Sequence, residues 1–165
     1  MMLLLLLAGC RTPPVGVVVV DDAATFCSGS ARAEVNGMLA TSPSLSLRED
    51  ILNCCDMAGR VDVTSAQLPL SLTLEWRRYA NQTGDGPFTL DLSSLAKSWS
   101  VMLGSNCDRT SGVCGDFAEA LTGTLTVSRQ NGIEYAEACV EAPQSSAPNP
   151  LLHSARLWFP NQAVK

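Results

Sequence analysis

Apolar and polar residues alternate along Leu68–Tyr79, with Leu70, Leu72, Leu74 and Trp76 on one side and Ser71, Thr73, Glu75 and Arg77 on the other. A period of two is the signature of a strand with one face buried and one face wet, and it excludes an amphipathic helix over the same stretch. The turn Asn81–Pro87 ends this strand, and the pattern then recurs. Phe88, Leu90 and Leu92 share a face, and Trp99, Val101 and Leu103 alternate with Ser98, Ser100 and Met102. Thr124–Ser128 alternates, Asn131-Gly132 supplies a strong two-residue hairpin signal, and Ile133–Val140 returns. Ala155–Phe159 reads as a last strand stopped by Pro160. Helical signals are few: Ser46-Leu47-Arg48-Glu49 has the form of a capping box opening a short helix through Ile51 and Leu52, and Asp116–Leu121 fits a single turn. Short strands divided by Gly, Asn and Pro turns predict an all-β fold, an antiparallel β-sandwich with a small barrel as the alternative. Trp76 and Trp99 share parity with neighbouring Leu and Val and are expected in the core. Trp158 has the opposite parity to Leu157 and Phe159, which makes it the candidate for a surface binding contact.

The N-terminus carries a different signal. Met1–Leu7 is an apolar run followed by Ala8-Gly9-Cys10. It is far shorter than the roughly 20 residues a helix needs to cross a hydrocarbon core, and with small residues at its end it reads as a signal peptide. Leu7-Ala8-Gly9-Cys10 closely resembles the lipobox of bacterial lipoproteins. It departs from the pattern in two ways: no Lys or Arg precedes the run, and the run is short. The resemblance implies that the Cys10 sulfur receives a diacylglyceryl group, that cleavage falls just before Cys10, and that a further acyl chain, such as palmitate, joins the new amino group. Two or three chains anchor a protein stably where one does not. It also implies a location on the bacterial cell envelope. Arg11, in place of an aspartate after the cysteine, favours the outer membrane over the inner. Residues 1–9 are then a lipoprotein signal peptide and 10–25 the lipidated cysteine with its Thr12-Pro13-Pro14 tether. Val15–Val20 is either the rest of that tether or a first strand, and 26–165 is a single β-rich exported domain.

With Cys10 assigned to lipid, six cysteines remain: Cys27, Cys54, Cys55, Cys107, Cys114 and Cys139. An even number in an exported domain reads as disulfides, since export delivers the chain to an oxidising compartment such as the periplasm. Cys107 and Cys114 are expected to pair across a short polar loop. Cys54 and Cys55, as neighbours, are expected to reach two different partners among Cys27, Cys139 and that loop. Paired C-x2-C spacings are lacking and His153 is the single histidine, so neither a zinc site nor another metal is expected.

Charge narrows the partners. The net charge is −5, the lysines are Lys97 and Lys165 alone, and Arg77-Arg78 is the one adjacent basic pair. No basic stripe exists for phosphates, so nucleic acid is excluded. Ser94-Leu95-Ala96-Lys97 matches the S-x-x-K element of penicillin-binding proteins and serine β-lactamases, but the partner elements S-D-N and K-T-G are absent. On a strand, Ser94 and Lys97 would also face opposite ways. Asp85, Asp108 and Asp116 sit in turns but lack calcium-loop spacing. The expected protein is therefore no enzyme and has no cofactor. It is a membrane-anchored envelope lipoprotein whose domain binds another envelope component or plays a structural part. The alternatives are a periplasmic hydrolase with an unrecognised site and a glycan-binding module using exposed aromatics.

Overall fold

A computed structural model describes residues 23–49, 55–79, 84–108, 111, 113–118, 120–143 and 150–164. The described chain opens with a single helical turn, α1 (Ala23–Phe26), then β1 (Arg32–Val35), β2 (Met38–Ala40), β3 (Ser44–Glu49), β4 (Cys55–Thr64) and β5 (Leu72–Tyr79). There follow β6 (Phe88–Asp91), a 3-10 turn (Leu92–Ser94), β7 (Trp99–Ser105), β8 (Asp116–Phe117), β9 (Thr122–Gln130), β10 (Ile133–Ala142) and β11 (Ala155–Val164). They form two antiparallel sheets, one in the order β2-β1-β11-β10-β9-β6 and the other β3-β4-β5-β7-β8. The sheets pack face to face and stay open at their edges. The sandwich expected from the alternation is thus the fold, and the barrel is not.

Local chemistry sets the turns. Asn131-Gly132 joins β9 to β10 with both residues at positive φ, 53° and 78°. That geometry matches the twist of the flanking strands and is cheap only for Asn and Gly. Asn36-Gly37, at 52° and 80°, repeats the device between β1 and β2.

The core is asymmetric. The first sheet turns many small side chains inward, with Ala33, Ala136, Ala138, Ala142 and Ala155 all buried beside Leu125, Val127, Val140, Leu157 and Phe159. The second sheet answers with Val61, Val63, Leu72, Leu74, Leu103 and the fully buried Trp76. Large residues on one face meet small ones on the other, which is how two sheets fill the space between them. Trp76 and Trp99 are both core residues, as their parity required.

Several expectations need correction. Ser44–Glu49 is a strand and not a capped helix, because Leu45 and Leu47 pair with Val63 and Val61 of β4 and turn toward the core. Sheet pairing overrides the local capping pattern. Ile51 and Leu52, the far end of that expected helix, lie outside the described residues. Asp116–Leu121 begins as the short strand β8, and the Asp116 carboxylate accepts from the Phe117 and Leu152 N–H groups. Pro160 does not stop the last strand, which continues to Val164. The pairing of β10 with β11 shifts there: Ala138 faces Phe159 and Ala136 faces Gln162. Pro160 sits in that bulge, where a missing N–H costs no ladder bond. The strand read from Leu68 starts only at Leu72, and Leu68 and Leu70 pack on the core from the preceding turn.

Candidate functional site

Four of the cysteines form two disulfides, Cys107–Cys114 as expected and Cys27–Cys139. The second is a correction: Cys27 and Cys139 take each other and are not open to Cys54 or Cys55. Cys10 and Cys54 lie outside the described residues, as does the side chain of Cys55.

Cys139 faces outward from β10, so its bridge pins the N-terminal segment to the outer face of the first sheet. Beside it the Phe26 ring is 1% exposed under the Arg156 guanidinium, whose central carbon lies 4.1 Å from the ring centre. Trp158, opposite Arg32 and Cys139 on β11, donates its indole N–H to the Gly29 carbonyl at 3.2 Å. The surface parity expected for Trp158 holds, but the ring is half-buried and its polar atom is engaged within the chain.

Ser94, Lys97 and His153 form no catalytic cluster among the described residues. Ser94 ends the 3-10 turn and Lys97 lies in the next turn, both exposed. The alternation that read as sheet there gives way because Asp91 caps the turn, accepting from the backbone N–H and hydroxyl of Ser93. Those bonds hold the Asp91 carboxyl below its ordinary range. His153 is exposed, and its backbone N–H donates to the Asn36 side chain. Asp85 offers its backbone carbonyl to the Arg129 N–H, and the Asp108 carboxylate closes a turn onto Ser111. Among the described residues no three His, Cys, Asp or Glu side chains are placed to hold a metal ion.

Two buried polar groups escaped sequence reasoning. Glu134, fully buried, projects from β10 into the sandwich and accepts from Trp76 Nε1 at 2.8 Å, so it joins the two sheets. Its other carboxylate oxygen has no hydrogen bond and lies 3.7 Å from the Arg129 guanidinium. Burial pushes the carboxyl above its ordinary value, while the indole, Arg129 and Arg78 pull the other way. Its inward parity with Ala136 and Ala138 was the available signal. On the outer face of the second sheet, Arg60 donates to Asp62 at 2.8 Å and to Glu75 at 3.0 Å, and Thr73 donates to Asp62. This charge ladder satisfies itself.

One concave feature among the described residues is lined by apolar side chains. A cavity of about 260 Å³ opens where the two sheets part, between the segment after β6 and the β7–β8 edge. Leu92, Leu95, Val101, Leu103, Phe117 and Leu121 line it, and Phe117 and Met102 remain largely exposed at its mouth. Among the described residues no ionisable side chain lines it, and the lining suits an aliphatic group. Beside it, β8 pairs with Gly104 and Ser105 and the Ala118 N–H donates to the Leu103 C=O, so among the described residues no strand covers β7 from Trp99 to Met102 on that side.

Comparison of the chain with models of known protein families, with curated proteins and with solved structures gives no match.

Proposed function

We propose that this chain is an exported, lipid-anchored envelope protein whose β-sandwich serves as a binding or structural module. The observation that carries the reading is Leu7-Ala8-Gly9-Cys10 ahead of a domain with two disulfides. A thiol at that position is the acyl acceptor of the lipobox pattern, and disulfides persist where export would take the domain. The described surface supports binding over chemistry. Among the described residues the cavity lining is apolar, Ser94 and His153 stand in exposed turns, and the fully buried Glu134 faces an indole. Expression of the full chain in a bacterial host tests the anchor. The wild-type N-terminal peptide should carry acyl mass on Cys10, and Cys10→Ser should lack it and leave the membrane fraction. Wild-type protein with an unmodified Cys10 thiol would refute the proposal.

A further inference from the structure

We infer that the cavity between the segment after β6 and the β7–β8 edge binds a medium-chain fatty acid, which enters tail first and leaves its carboxylate at the mouth beside Lys97. The inference rests on the reading of the domain as a binding module and gives that module a ligand.

The walls hold the space open. β7 supplies Val101 and Leu103, and the 3-10 turn with its C-cap supplies Leu92 and Leu95. The third wall, with Phe117 and Ala118, has little regular structure but is fastened at several points. Ala118 N–H donates to Leu103 C=O, Gly115 N–H donates to Ser105 C=O, and Leu152 N–H donates to the Asp116 carboxylate. Just ahead of it the Cys107–Cys114 bridge packs on the bare Cα of Gly104, where an added Cβ would meet the Cys114 sulfur at 2.8 Å. A wall tied down in this way does not collapse onto β7. The cavity is therefore preformed, and a ligand fills it without first ordering the protein around itself.

The lining chooses the ligand. Apart from the Phe117 ring, the described side chains that meet the space are aliphatic, and none carries a charge. A charged or polar group inside would give up its hydration and find no side-chain partner there. A hydrocarbon chain loses nothing by entering. A methylene takes up about as much room as a water molecule, roughly 30 Å³, so a cavity of 260 Å³ holds about eight or nine carbons in a row. The head group of such a chain stays in water at the mouth, and there the sequence places a cation. Lys97 is exposed in the turn between two lining residues, Leu95 and Val101, at most about 7 Å of chain from the first. It has no ion pair among the described residues. An ammonium at that position favours a carboxylate head over a neutral or cationic one.

The test is equilibrium titration of the full chain carrying Cys10→Ser, so that no acyl group of its own competes. The ligands are unbranched fatty acids from hexanoate to tetradecanoate, each below its micelle concentration. Affinity should rise about fourfold with each added methylene while the cavity fills, and level off near nonanoate or decanoate. Ala118→Leu keeps the N–H that Leu103 accepts and adds three carbons to the wall, so the break should come about three carbons earlier. Lys97→Gln should weaken decanoate about two- to fivefold and leave decanol unchanged. An intact Cys27–Cys139 bridge in each variant confirms folding. Four results would overturn the inference: no saturable binding, affinity that climbs to tetradecanoate without a break, a break that Ala118→Leu does not move, or an equal loss of decanoate and decanol in Lys97→Gln. A chain that sediments as a dimer and takes up no decanoate would do so too, and would give the cavity to a second copy. Acyl mass on Cys10 of the wild type reports the anchor separately.

Discussion

The two disulfides close loops of very different length, and their contributions to stability should differ accordingly. Cys27–Cys139 spans 112 residues and Cys107–Cys114 spans 7. If a bridge acts by restricting the unfolded chain, the loop-entropy relation gives about 5 kcal/mol for the long loop and about 2.5 kcal/mol for the short one. All four cysteines are half-buried, so lost packing adds little to either figure. Urea unfolding of Cys27→Ala/Cys139→Ala and Cys107→Ala/Cys114→Ala, followed by circular dichroism without reductant, makes the comparison. With a slope of about 2 kcal/mol per molar urea, the midpoint should fall by roughly 2.4 M in the first variant and 1.2 M in the second. Equal shifts, or a larger loss from the short bridge, would refute the entropic reasoning. They would place the stabilisation in native contacts such as the turn at Asp108.

Two further outcomes follow from the buried centre. Gly59→Ala would drive a Cβ into the Trp76 ring and the Glu134 carboxylate, and overpacking of this kind costs about 1–3 kcal/mol, read as a lowered melting temperature. A melting temperature unchanged by Gly59→Ala would show that the Trp76–Glu134 contact is loose. Glu134, with its pKa raised from 4.5 by burial, is protonated in both folded and unfolded chains at low pH and costs nothing extra there. As pH rises past the unfolded value the unfolded chain ionises first, so the folded state loses stability until the buried carboxyl ionises too. Glu134→Gln should therefore gain on the wild type as pH rises above the ordinary glutamate range in parallel thermal melts, and a constant difference would refute the assignment.

Much of the architecture was legible from period-two alternation. Leu72, Leu74 and Trp76 announced β5, and Asn131-Gly132 announced the β9–β10 turn. Asn36-Gly37 forms the same turn, but β1 and β2, of four and three residues, leave little alternation to read. β4 was hidden for a physical reason. Its inward positions include Gly59, hollowed to admit Trp76, and its outward ones include Arg60 and Asp62, buried with partners from β5. β3 was misread because Ser46 and Glu49 have capping-box spacing, whichever structure β4 then imposes. The candidate site was legible only in part. Leu92, Val101 and Leu103 of its lining sit on alternating stretches, but Leu95, Phe117 and Leu121 come from turns and a two-residue strand that carry no period.

The alanines of the first sheet connect packing to the need for disulfides. Each buried methylene contributes about 0.8 kcal/mol, so a face built from Ala33, Ala136, Ala138, Ala142 and Ala155 gains several kcal/mol less than one built from leucine. The small side chains let the sheets approach closely around Trp76, but they bury little surface of their own. One of the covalent links falls on this sheet, where Cys139 of β10 ties down the segment that precedes β1. In a reducing compartment that link would be lost, and α1 would rest on Phe26 under Arg156, the Arg32 hydrogen bond to the Thr25 carbonyl and the Trp158–Gly29 hydrogen bond among the described contacts. The packing of the first sheet and the proposed export of the domain therefore support one another: a face this poor in large side chains is best stabilised where its disulfide persists.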